Sequence, residues 1–395
     1  MNWIKTLLLY RSLLFVIFLL AAPLLWAEPS IKIGMSTALT GPAAALGTNM
    51  RAGVESYFEQ VNKRGGINGR SLELIVRDDG YEPERAAANM RSLIDEDKVL
   101  TVIGNVGTPT AIVTVPIAEE KQTLLFGAFS GGRVLRPDPV SRYVINYRPS
   151  YAEETAEMIN GLLRSGIKPQ QIAFFTQRDG YGDAAYNGAA AALYRHGFSE
   201  TNSLAHGRYT RNTLNVEDAA ATILDAEITP RVIIMAGGYA PSAKFIELLR
   251  QDLPDIWFVN VSFVGSYALN TALATDVTNV VVTQVVPNLN SDLAIIDEYL
   301  KALKEYDSSL VANDVSLEGF IVAKIFFWSL KGIKGEINKK SIIDSIEAVQ
   351  ELDIGLGLSI HYDVSDHQAI HTLWPVCIKD DQLESFSWEQ LSSTE

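Results

Sequence analysis

Cysteine is almost missing from this chain: Cys377 is the only one in 395 residues. No internal disulfide can form, so an oxidising compartment is tolerated without being used for cross-linking. Enzyme signatures are scarce too. There is no G-x-G-x-x-G and no P-loop sequence, and Ser130 lies in Gly127-Ala128-Phe129-Ser130-Gly131 rather than in a G-x-S-x-G elbow. No nucleophile and base can be placed together, so an amidase or hydrolase lacks its machinery and no enzyme is expected. Basic charge is in deficit, with 33 Lys and Arg against 47 Asp and Glu and a net charge of -14. That balance argues against nucleic acid and anionic lipid as partners. His361, Asp363, Asp366, His367 and His371 form a polar cluster, but their segment reads as strand and turn. The four-residue spacing of His367 and His371 then loses its meaning as a metal motif, and neither metal nor cofactor is expected.

What is present begins with export. Lys5 and Arg11 precede a largely apolar run from Ser12 to Leu20, and Ala27 is a cleavage position. Residues 1–27 read as a cleavable signal peptide, and the mature chain is placed in the periplasm. Leu25 is larger than a cleavage site prefers, which leaves an uncleaved anchor as the alternative. Pro23 interrupts the run, which is short for a spanning helix. Without a cysteine at the signal end, a lipid anchor is not expected.

Strand-like and helix-like segments then alternate. The strand Ile31–Ser36 leads to a helix with apolar Met50, Val54, Tyr57, Phe58 and Val61 on one face. Gly65-Gly66 stops that helix, and Asn68-Gly69 turns the chain into Leu72–Val76. Further helices are expected over Glu84–Asp95 and Pro109–Glu120, the latter with Thr108 as N-cap. Strands follow at Leu100–Gly104, Thr123–Gly127 and Tyr143–Asn146. After Arg148-Pro149-Ser150, a crossover, the pattern restarts: helices Ala152–Arg164, Asp183–Tyr194 and Ser242–Arg250, and strands Gln171–Thr176, Arg231–Met235 and Ile256–Asn260. The β-branched run Val280–Val286 ends at Pro287, a second crossover. Three helices follow, Leu293–Tyr306, Leu317–Leu330 and Lys339–Glu347, and the chain reads as β-rich from about His361. The class is α/β, in two units.

The wording from Ile31 to Asp79, with Leu39-Thr40-Gly41-Pro42 and Asn62-Lys63-Arg64-Gly65-Gly66-Ile67-Asn68-Gly69-Arg70, resembles the periplasmic leucine/isoleucine/valine-binding family. These are type I solute-binding proteins of ABC transporters. The resemblance implies two Rossmann-like βαβ lobes joined by a three-segment hinge. Lobe I would hold 28–146 and 287–360, and lobe II 147–286 and 361–395. It implies a monomer that closes around a small carboxylate-bearing ligand, an amino acid or related compound, and presents it to an ABC permease in the inner membrane. The alternative partner is a membrane sensor kinase reading the same closed state.

Gly104–Thr110 runs from a strand end through a glycine loop to a helix N-terminus, which gathers free backbone N–H groups and the positive end of a helix dipole. The resemblance makes this the ligand-carboxylate loop, with Gly107, Thr108 and Thr110 as contacts. It assigns Ser130 and Phe129 to the next strand end, and Tyr181 and Tyr239 to two strand ends of the second lobe. Ser262 stands where amino-acid-binding relatives place a carboxylate for the ligand ammonium, and Leu46 where a tyrosine often sits. Both departures weigh against a plain α-amino acid, unless Asp179 or Glu318 supplies the anion. Tyr81 and Tyr151 follow strand ends and would add aromatic walls.

Overall fold

The computed structural model describes residues 29–273, 278–379 and 382–393, together with Trp3. The expected signal segment, apart from Trp3, lies outside the described residues. Strand β1 (Ile31–Thr37) leads through α1 (Ala44–Lys63) to β2 (Leu72–Asp78), which runs parallel to it with Ile33 opposite Leu74. The turn into β2 has Asn68 at φ 52 and Gly69 at φ 82, two successive left-handed residues, a conformation that Asn and Gly adopt with least strain. Next come α2 (Pro83–Asp95), β3 (Thr101–Ile103), α3 (Thr108–Glu120), β4 (Leu124–Phe126) and β5 (Val144–Ile145). Their sheet has the order β2-β1-β3-β4-β5 and is parallel throughout. Helices cover both faces, so β3 and β4 are buried along their whole length instead of alternating.

The chain then crosses to a second lobe. It comprises α4 (Tyr151–Arg164), β6 (Ile172–Gln177), α5 (Gly180–Arg195), β7 (His206–Tyr209), α6 (Glu217–Leu224), β8 (Val232–Ala236), α7 (Tyr239–Leu249), β9 (Trp257–Val261), α8 (Ser266–Ala272) and β10 (Val280–Gln284). From there α9 (Ala294–Tyr306), α10 (Asp314–Lys331) and α11 (Lys339–Glu347) follow, and α10 packs back on α1. Gly53 and Gly319 let those two backbones meet: a Cβ at Gly53 would lie 1.9 Å from the Ser316 carbonyl oxygen, and one at Gly319 2.3 Å from that of Met50. Beside this close approach Tyr57 and Phe320 pack edge to face at 5.0 Å. A third crossing brings β11 (Trp374–Lys379) and β12 (Gln382–Ser385) to the edge of the second sheet, of order β12-β11-β10-β9-β8-β6-β7, both antiparallel to their neighbours. The molecule is thus two Rossmann-like α/β lobes linked by three chain crossings.

Several sequence expectations are corrected. Gly107, at φ 104, is the N-cap of α3, and Thr108 is its first helical residue. The α5 helix starts at Gly180, because Asp179 caps it by accepting a hydrogen bond from the Tyr181 amide at 3.0 Å. The α7 helix starts at Tyr239 rather than Ser242. The four-residue β7 and the short helices α6 and α8 are too brief for periodicity to reveal. No strand begins at His361. Residues 361–371 run irregularly beside the first crossing, where Asn146 donates to the His367 carbonyl at 2.7 Å and accepts from the Ala369 amide at 3.1 Å. The fold also separates the polar cluster of this segment. His361 meets Asp363, the His367 Nδ1 faces the carbonyls of Ser141 and Val144, and His371 reaches Glu153.

Candidate ligand site between the lobes

Gly107 must be glycine for two reasons: its φ of 104, and the ring of Tyr81, whose Cε2 would stand 2.1 Å from an added Cβ. Asp79 holds that tyrosine in place. Its carboxylate accepts from the Tyr81 amide at 2.8 Å and from the Ser36 hydroxyl at 2.7 Å. Burial pushes the Asp79 carboxyl up to about 6. Behind Gly107, the first turn of α3 leaves amides without intrahelical partners. The Thr108 and Ser130 hydroxyls meet there at 2.7 Å, and the Gly132 amide donates to Ser130 at 3.1 Å. Tyr151, at the start of α4, lies against Gly131. It is fully buried and its hydroxyl has no hydrogen-bond partner among the described residues. Burial pushes this phenol up to about 12, so it is a neutral donor at ordinary pH.

Aromatic rings close the cleft from the second lobe. Phe263, in the single turn after β9, centres a cluster with Tyr181 at 4.7 Å, Phe129 at 5.5 Å and Tyr81 at 5.8 Å, and Tyr181 reaches Tyr151 at 5.2 Å. Beneath the rings runs a fully engaged charged network. The Arg148 guanidinium lies 4.0 Å over the Phe129 ring. Its Nε and Nη2 donate to Glu318 at 2.8 and 2.6 Å, and its Nη1 donates to the Ser262 hydroxyl at 3.0 Å. Ser262 passes the chain on: its hydroxyl and amide donate to Glu154 at 2.8 and 2.7 Å, and Thr283 donates to the same carboxylate at 2.7 Å. Burial raises the pKa of both Glu318 and Glu154, and the Arg148 charge opposes it. For Arg148, burial works against the charge but Glu318 prevails and raises its pKa. The two-pronged geometry is that of an ionised pair. Arg136 ties this layer to the hinge. It donates to the Arg148 carbonyl at 2.5 Å and to Gln368 of the third crossing at 2.7 Å.

At the rim the lobes touch directly. Arg211 pairs with Glu82 at 2.9 Å and with Asp179 at 3.2 Å, Asn212 donates to Glu82 at 2.6 Å and to the Gly80 carbonyl at 3.1 Å, and Gln177 donates to the Tyr81 hydroxyl at 3.2 Å. The cleft is closed.

The profile of the periplasmic binding protein family matches residues 30–382. The chain belongs to the leucine/isoleucine/valine-binding-like periplasmic binding proteins. Among relatives, the Leu/Ile/Val-binding protein homolog 7 of Brucella abortus is 25% identical over 344 residues, covering 80% of this chain and 79% of that one. The Leu/Ile/Val-binding protein homolog 3 of Brucella melitensis is 26% identical over 215 residues, 54% of this chain. In that match the chain spans about half of the relative's length, 55%. A crystal structure of a possible leucine/isoleucine/valine-binding protein from Rhodopirellula baltica is 46% identical, with a TM-score of 0.91 over 94% of this chain and all of that one. The fold is therefore the type I periplasmic binding protein fold. The matched family and the names of these relatives are those of binding proteins and not of enzymes, and this chain is of that kind.

In this solute-binding protein, Gly107, Thr108, Phe129, Ser130, Tyr81, Tyr151, Tyr181, Ser262 and Glu318 converge on one interlobe region, as the contacts above describe. Thr110 and Tyr239 do not join them. The Thr110 hydroxyl is committed to the carbonyls of Val106 and Gly107 at 2.5 and 2.9 Å, so it serves the helix start. Tyr239 is half-buried and makes no ring contact with the cluster among the described residues. Asp179 is occupied as helix cap and partner of Arg211, and Glu318 lies in the second turn of α10, not at its start. Sequence reasoning missed Arg148, Glu154 and Phe263. Arg148 stood in view as part of an Arg-Pro-Ser crossover, and Phe263 beside Ser262, but nothing local marks them as partners of a helix far along the chain.

Proposed function

We propose that this protein is an exported receptor of an ABC importer. It closes its lobes on a small carboxylate-bearing molecule and presents the closed state to an inner-membrane permease. The observation that carries this reading is the convergence, under an aromatic lid, of the α3 N-terminus, the Thr108 and Ser130 hydroxyls and the unpartnered hydroxyl of Tyr151. The α3 amides and the Tyr151 hydroxyl are donors, the Thr108–Ser130 pair keeps one proton free of its mutual hydrogen bond, and a carboxylate accepts from such donors. The lobe division of 28–146 with 287–360 against 147–286 with 361–395 belongs to the same reading, since closure needs two bodies. So does removal of residues 1–27, with a mature chain beginning at Glu28.

A thermal-shift screen of amino acids, aromatic acids and short amides on protein from a periplasmic extract tests it. Ligands carrying a carboxylate should raise the melting temperature in a concentration-dependent way, because they bind only the folded chain. Stabilisation by amides alone would refute the carboxylate site. Mass spectrometry of the same sample should find an N-terminus near Glu28. An intact Met1 in the membrane fraction would contradict export by a cleaved signal.

A further inference from the structure

We infer that Arg148 fills the place of a ligand ammonium group, so that the site selects a carboxylate carrying no positive charge. The inference rests on the carboxylate reading above and narrows it to aliphatic and aromatic monocarboxylates, 2-oxo acids included.

An ammonium buried in a closed cleft needs anionic acceptors that are not already taken. The contacts above place five carboxylates at this cleft and its rim, and each is engaged. Asp79 accepts from the Tyr81 amide and the Ser36 hydroxyl, and Glu82 pairs with Arg211 and accepts from Asn212. Both oxygens of Glu318 accept from Arg148. Glu154 accepts from the Ser262 amide, the Ser262 hydroxyl and the Thr283 hydroxyl. Asp179 accepts from the Tyr181 amide and Gln177 and pairs with Arg211. The Arg148 charge is set against Glu318 directly and against Glu154 through Ser262. Adding a cation would bring it against the Arg148 guanidinium, which is buried and fixed on two sides by Glu318 and Ser262.

The groups left over favour an anion. The Tyr151 hydroxyl is buried without a partner, and the α3 N-terminus adds amides and a positive dipole end. A cavity of about 370 Å³ opens beside Tyr151, and its walls include Arg133, Arg136 and Asn187. Two arginines give this cavity a positive wall, against the acidic balance of the chain as a whole. Phe263 and Tyr181, packed on each other at 4.7 Å, make the second-lobe side of the region apolar.

The test is calorimetric titration of the wild-type protein with 4-methylpentanoate, 4-methyl-2-oxopentanoate, phenylacetate, leucine and 4-methylpentanamide. At least one acid should bind about tenfold or more tightly than leucine, because leucine would bury an ammonium without an acceptor. Arg148→Met should lower or reverse that preference by releasing Glu318, while Arg148→Lys, which keeps the charge, should retain it. The wild-type ratio decides the matter even where a variant does not fold. Leucine binding as tightly as its deaminated analogues would overturn the role of Arg148 and leave the carboxylate site standing. Binding of the amide without any of the acids, or of none of the five at millimolar concentration, would overturn the carboxylate site and this inference with it.

Discussion

Two arginines in this molecule each pair with an acid, in opposite surroundings. Arg148 and Glu318 have side chains only 1% and 2% exposed. Arg211, with Glu82 and Asp179, sits at the cleft rim with side chains 23%, 44% and 16% exposed. In the interior the attraction is weakly screened, but each charge has given up its hydration, so the arrangement tolerates a missing partner poorly. At the rim, water and salt compete with every contact, and a pair contributes little. The proposed receptor, which would open and close, is served by that contrast. Its rim contacts form and break at small cost, while the buried network holds the floor of the site fixed.

The most severe way to break the comparison is to strip one partner from the interior. Glu318→Ala leaves the Arg148 guanidinium buried and unpaired and should cost about 3–5 kcal/mol in chemical denaturation. The double variant Arg148→Met/Glu318→Leu should recover most of that loss, since apolar residues of similar volume replace both charges together. A double variant no more stable than the single one would show that packing, and not unpaired charge, is responsible.

Next in size is Asp79, a buried acid between floor and rim. Its folded-state pKa of about 6 lies above the ordinary 3.8. The stability linked to its protonated form is therefore complete below pH 3.8 and lost as pH rises through about 6. The offset corresponds to on the order of 3 kcal/mol. Asp79→Asn should lack this dependence, so that its stability rises relative to wild type from pH 4 to about 6.5 and then levels. Parallel pH profiles for the two proteins would refute the assignment.

Ligand contacts come third. Tyr181→Ala removes a ring at the centre of the cluster and should weaken binding by about 1–3 kcal/mol in calorimetry. Tyr239→Ala should do less, because that ring stands outside the cluster. Equal losses would return Tyr239 to the site.

The smallest effect belongs to the rim. Glu82→Gln should change stability by only about 0.2–1 kcal/mol, and that difference should fade in about 1 M salt. A loss matching that of Glu318→Ala would erase the distinction between rim and floor.

Much of the first lobe was legible because its signals are local. The apolar stripe from Met50 to Val61, the Asn68-Gly69 turn and the glycine loop before Thr108 each declare a helix, a turn and a strand end from neighbouring residues. The Thr108–Ser130 pairing was within reach for the same reason, since both follow adjacent parallel strands. The start of α5 was misjudged because Asp179 caps through its own side chain ahead of any apolar periodicity. Tyr239 is assigned to the cleft by the resemblance and its strand-end position, and neither fixes where a ring points.

The sequence by itself determined the α/β class, the order of most elements, the family and the donor-rich loop at the α3 N-terminus, all of which depend on spacings of a few residues. Tertiary structure alone decided the electrostatic character of the site. Arg148 and Glu318 are separated by 170 residues, and Ser262 and Glu154 by 108. Only the close approach of α10 to α1, and the return of the chain through its crossings, bring these groups within hydrogen-bonding distance. Ser262 read as the absence of a carboxylate; in the fold it is the link between a buried cation and a buried carboxylate supplied from α4. Such a pairing leaves no local pattern, because its energy depends on which side chains meet out of water and not on where they stand along the chain.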